Sequence, residues 1–128
     1  MLLEELVIFL EKNSIDISKD PIIVCGDFNE NSQGEACKRM NNEIPITQGS
    51  KLILKNAYND YLKEIKYSPF TVHIPQIQDV IDHIWHSNNA IVPHRVFSLL
   101  NKTSINGGLP SQHLSSDHIS IVCDFYTK

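Results

Sequence analysis

Three short acidic motifs, each set against a run of apolar or β-branched residues, constrain this chain more than any other feature. Gly26-Asp27-Phe28-Asn29 follows Ile22-Ile23-Val24-Cys25, Asp82 sits inside Val80-Ile81-Asp82-His83-Ile84-Trp85, and Ser116-Asp117-His118 leads into Ile119. The apolar neighbours predict strands, and strand alternation sends Asp27 and Asn29 one way and Phe28 the other. Phe28 then anchors in a core while the polar groups share a site. Carboxylates brought to one sheet end by separate strands are how a protein assembles a divalent-cation and phosphate site.

Taken singly, each motif also has a plain reading. Gly-Asp after a strand is a common loop start, and Asn suits turns. Asp82 on an edge strand would simply be solvated, and Asp117 with His118 would be a solvated cap beside a surface histidine. It is the three together, in order, that point to chemistry.

The rest of the chain supplies one domain's worth of elements. Its 128 residues are 41% hydrophobic and 20% charged, ordinary for a globular domain. Leu2, Leu3, Leu6, Val7 and Leu10 recur at helical spacing and predict an opening amphipathic helix. Its Glu4 and Glu5 stand where a signal peptide would carry positive charge, and the apolar run is too short to span a bilayer. Pro21 introduces a buried strand, Ile22–Cys25. Ser32 with Glu35 reads as a capping box opening a short helix with Ala36, Cys37 and Met40 inward. Residues 41–52 read as a loop, and Leu52–Ile65 is ambiguous. Phe70–His73, Val80–His86, Ala90–Leu100 and Ile119–Phe125 are strand candidates between Pro, Asn and Gly breakers. Alternating helix and strand signals indicate an α/β or α+β domain.

Trp85 and Phe97 read as core aromatics. His83 and His86, three apart on a strand, point to opposite faces and do not suggest a shared metal. Lys38-Arg39, Lys51 and Lys55 read as a solvated face. The net charge of −4 lacks the electrostatic footprint of a general nucleic-acid coating protein. Three cysteines without metal-site spacing suggest free thiols and a cytoplasmic, or else nuclear, protein.

Cys25-Gly26-Asp27-Phe28-Asn29, Val80-Ile81-Asp82-His83-Ile84-Trp85 and Ser115-Ser116-Asp117-His118-Ile119 resemble, in this order, the signatures of the endonuclease/exonuclease/phosphatase superfamily. Leu54-Lys55-Asn56-Ala57-Tyr58 and Gly108-Leu109-Pro110 resemble its deadenylase, nocturnin and Angel branch. The resemblance implies a four-layer α/β sandwich of mixed β-sheets flanked by helices, and a Mg²⁺-dependent (or Mn²⁺-dependent) hydrolase acting on RNA 3′ ends. It implies that Asp27 activates the attacking water or holds a metal, and that Asn29 contacts the scissile phosphate and the metal site. His118 would serve the phosphate oxygens, Asp82 would fix its tautomer, and Asp117 would help bind Mg²⁺. Ile77 stands where poly(A)-specific relatives tend to carry a base-stacking phenylalanine, which shifts the expected substrate from strict poly(A) toward RNA 3′ ends in general.

In that superfamily the principal metal-binding glutamate, a phosphate-site asparagine and a further histidine precede these motifs, and no glutamate of residues 1–20 lies in a matching motif. Residues 1–128 are therefore expected to be the C-terminal half of such a domain, with Met1 an internal methionine or a mis-called start. Half a sandwich would expose an apolar sheet face, through which the chain would self-associate or take a partner. Two other readings stand beside the nuclease: a non-catalytic remnant or interaction module, and a phosphatase acting on a sugar or lipid phosphate.

Overall fold

A computed structural model describes residues 2–128; Met1, on which the reading of the chain's start turns, lies outside them. The predicted opening helix is α1, Leu2–Lys12. Its Leu10 is buried, and Leu3, Leu6 and Val7 pack against the same cluster, as their spacing requires. After it come β1 (Ile23–Asp27), α2 (Glu35–Met40), β2 (Ile44–Pro45), β3 (Lys51–Leu52) and β4 (Leu54–Asn56). The ambiguous stretch thus resolves into strand followed by α3 (Asn59–Glu64). The second half contains β5 (Pro69–Phe70), β6 (Val72–Ile74), β7 (Ile77–Asp79), β8 (Asp82–Ser87), β9 (Ile91–Val96), β10 (Leu100–Asn101) and β11 (Cys123–Thr127).

The central sheet has the order β1-β8-β4, with β8 in the middle, and every named pairing among the described residues is antiparallel. Side-chain alternation on β8 feeds two cores. Trp85 enters the cluster of Leu10, Cys37, Met40, Leu52 and Leu54, covered by the helices. Ile84 enters the opposite cluster with Tyr58, Val80 and Leu99, covered by the β9–β11 ribbon. Helices, central sheet and ribbon give the layers of an α/β sandwich.

Four local expectations are corrected. β1 is not buried: Ile23 is 51% exposed and Cys25 is exposed, because β1 is a sheet edge with one side unpaired among the described residues. Phe97 is 66% exposed rather than core. The last strand begins at Cys123, not Ile119. Ile119, Ile121, Cys123 and Phe125 do share an inward face, but Val122 is held by the Tyr58 hydroxyl, which accepts from its N–H and donates to its carbonyl, 3.0 and 2.9 Å. The Val122 carbonyl also accepts the Phe97 N–H at 3.0 Å, so the hydroxyl shares that position with the neighbouring chain segment.

The fourth correction is the capping box. Gly34, not Ser32, stands at the N-cap of α2 and has no side chain to cap it. The Glu30 carboxylate reaches across instead and accepts the Cys37 N–H at 2.8 Å. Gly34 makes this feasible: a β-carbon there would lie 2.2 Å from the Glu30 carboxyl carbon. A carboxylate at a helix N-terminus has the favourable sign for the helix dipole. Cys37 and Met40 face inward as predicted, and burial pushes the Cys37 thiol up to about 11.

Candidate active site

The β1–β8 register sets Asp27 opposite Asp82. The ladder ends there, with the Phe28 N–H donating to the Ile81 carbonyl at 2.9 Å. Phe28 turns inward, edge-on to His83 at 5.5 Å and beside Trp85 at 6.3 Å, which anchors the strand end. Beyond it the chain leaves the pleat. Asn29 adopts a left-handed conformation, φ 54°, which Asn tolerates better than most residues, and its N–H donates to the Asp27 carboxylate at 2.7 Å. A turn, rather than strand alternation, therefore places Asn29 beside Asp27.

The third motif arrives from the other end of the chain. His118 donates from Nδ1 to the Asp82 carboxylate at 2.9 Å, with the two side chains 29% and 16% exposed. Its backbone N–H donates to the Ser116 hydroxyl at 3.1 Å. Partial burial by itself lowers the His118 pKa. The hydrogen bond to Asp82 and the charges of Asp82, Asp27 and Asp117 outweigh burial, and the net shift is upward. Asp27, Asp82, Asp117 and His118 are thus gathered into one electrostatic neighbourhood, with Asn29 on the turn adjoining it. Asp27, Asn29 and Asp117 are exposed.

The support for this arrangement comes from a residue the sequence reading passed over. Thr71, fully buried, accepts from the Ile81 and Asp82 N–H groups through its hydroxyl, 2.9 and 3.1 Å. Its carbonyl accepts the Ile119 N–H at 2.8 Å, and the next residue, Val72, bridges His118. One short segment therefore fixes both Asp82 and His118. The available signal was a hydroxyl residue inside an apolar run, Phe70-Thr71-Val72, where a buried polar group needs partners.

The neighbouring histidines are occupied elsewhere. His83 Nδ1 accepts from the Asn56 amide at 3.0 Å and its Nε2 donates to the Glu30 carbonyl at 3.0 Å, a pairing that fits the neutral ring. His86 lies on the opposite face against Phe125, its pKa lowered by burial and then by Lys55 and Lys128. The expected opposite orientation of the two rings holds.

For a cation, the available donors are hard oxygens: the Asp27 and Asp117 carboxylates and the Asn29 amide. They fit Mg²⁺ in kind, since it binds through one or two carboxylates and keeps several waters. No group of three His, Cys, Asp or Glu side chains able to hold a metal occurs among the described residues. No helix among them is long and apolar enough to cross a membrane.

Residues 5–118 match the model of the endonuclease/exonuclease/phosphatase family. Nocturnin of Rattus norvegicus is 33% identical over 120 residues, covering 89% of this chain and 26% of that protein. The CCR4-Not complex 3′-5′-exoribonuclease subunit Ccr4 of Schizosaccharomyces pombe is 30% identical over 126 residues, covering 86% of this chain and 18% of that protein. The solved human nocturnin catalytic domain with bound sulfate anion superposes with a TM-score of 0.61 at 29% identity, covering 99% of this chain and 38% of that one. The chain spans about a quarter or less of these curated relatives' length.

Proposed function

The chain belongs to the endonuclease/exonuclease/phosphatase family, and from that premise we propose that it forms part of a hydrolase of phosphodiester bonds at RNA 3′ ends. The observation that carries this reading is the His118–Asp82 bond at 2.9 Å with Asp27 in register beside it. The names of its relatives supply the substrate class: a 3′-5′-exoribonuclease subunit is among them.

In this reading Asp27 takes a proton from the attacking water or holds the cation beside it. The Asn29 amide contacts the scissile phosphate. His118 donates to the phosphate oxygens, and Asp82 holds its ring in the Nδ1–H tautomer and supports its positive charge. Asp117, with Asp27 and Asn29, holds Mg²⁺ or Mn²⁺. When bound, that ion supplies Lewis-acid neutralisation of phosphate charge and a more acidic water. The exposed aliphatic Ile77 stacks a base poorly, which favours RNA 3′ ends over strict poly(A).

Residues 1–128 act as the C-terminal half of the domain, and the open edge of β1 receives the remainder of the fold or a partner. The fraction of the solved relative that the chain covers supports this. The free cysteines favour the cytoplasm or nucleus. A second reading, a non-catalytic interaction module, draws on the 38% of the solved relative that the chain covers.

The test is Mg²⁺-dependent trimming of a 3′-labelled RNA by the protein that carries this chain. Asp27→Ala and His118→Ala should each slow it by about a hundredfold or more. Full activity in both variants would refute the site assignment. An inactive parent protein that still binds a partner would favour the module.

A further inference from the structure

The loop after β1 carries Asn29 and must be held against the strand that presents Asp82. The Phe28 N–H on the Ile81 carbonyl and His83 Nε2 on the Glu30 carbonyl tie its near end, and two residues outside the recognised motifs provide a second connection further along. The Asn31 side-chain amide donates to Asp79 Oδ2 at 2.8 Å, across 48 positions of sequence. The other Asp79 oxygen accepts the Val80 N–H at 2.8 Å, and the Asp79 carbonyl accepts the Thr71 N–H at 2.9 Å. On the loop side, the Asn31 side-chain carbonyl accepts the Gln33 N–H at 3.0 Å, and its backbone carbonyl accepts from Gly34 at 2.9 Å.

Every polar atom of the two side-chain heads is therefore used once, and the pattern leaves no freedom to flip the amide. Asp79 joins three pieces at a single point: the loop bearing Asn29, the Thr71 segment that fixes His118, and the entry to β8. Both residues are half-buried, so the bond is shielded from competing water and its acceptor is charged, the conditions under which a hydrogen bond contributes most.

We infer that the Asn31–Asp79 pair is a positioning clamp that fixes the Asp27–Asn29 turn relative to Asp82 and His118. This rests on the reading of those four residues as catalytic. The pair itself touches no substrate in that scheme. It acts by limiting how far the turn can swing, and small misplacements of reacting groups are costly to rate.

The chemistry of the pair offers a test by exchange of the two heads. Asn31→Asp alone sets two carboxylates against each other, and Asp79→Asn alone sets two amides together. The double exchange, Asn31→Asp with Asp79→Asn, restores all of the side-chain contacts with donor and acceptor reversed. Two readouts follow in the protein that carries this chain: amide hydrogen exchange across residues 28–34, and kcat and KM for trimming of the labelled RNA.

Each single variant should speed exchange in that segment and lower kcat by about tenfold with KM little changed, and the double exchange should return both to within about twofold of the parent. Exchange left at the parental rate in the singles, or a double variant no better than the worse single, would overturn the clamp. If the singles fail to fold, recovery of folding by the double exchange supports it and continued failure overturns it. A parent protein without RNA trimming refutes the functional reading alone, because the exchange measurement still decides whether the clamp exists.

Discussion

At the scale of single residues, the Asp82–His118 contact is the one whose behaviour with pH has a definite sign. The folded-state pKa of His118 is raised, so the pair contributes stability that is fully present below the unfolded value, about 6.5, and is lost as pH rises through the folded value. Asp82→Asn removes the charge that favours imidazolium. Urea unfolding of the metal-free protein should show a larger gap between parent and Asp82→Asn at pH 5.5 than at pH 9. An equal gap at both would mean that His118 is not charged by its partner. Asn29 sets a different constraint at the same scale: its left-handed backbone restricts that position to residues tolerating φ near 54°.

At the scale of elements, the segment leading into β6 is the most consequential. Thr71→Val preserves shape and leaves the Ile81 and Asp82 N–H groups without their acceptor, which should destabilise by about 1–3 kcal/mol for each group stranded. Thr71→Ser should recover most of it in the same denaturation series, and a Val variant as stable as the parent would refute the role. The elements also show what the sequence could and could not convey. Periodicity was enough for α1 and for the inward Cys37 and Met40, because each depends on neighbours close in sequence. The Glu30 cap was not legible from the Ser32–Glu35 spacing, since it depends on Gly34 leaving room for a side chain from the preceding turn. Phe97 and β1 misled for a related reason. Apolar character predicts burial, but burial depends on a covering layer that sequence does not display. Asn31 and Asp79 stayed hidden because each finds its partner 48 positions along the chain.

At the scale of the whole molecule, the exposed apolar residues decide behaviour in solution. Ile8 and Phe9 on α1, Ile23 on the β1 edge that is unpaired among the described residues, and Phe97 and Val122 near the ribbon are all exposed. A protein consisting of these residues alone should self-associate, seen as an elution volume that falls as concentration rises in the micromolar range. A concentration-independent monomer with a cooperative melt would contradict this. The Asp82–His118 bond carries one more consequence. It joins residues 36 positions apart, while β1 finds β8 across a still longer stretch of chain. Loops of that length must close before the acid and the histidine meet, and closure of distant contacts is the slow part of folding. An unfolded chain does not hold this pair together, because nothing local in sequence brings the two side chains into contact. The contact is therefore a property of tertiary structure, absent from any local element taken alone.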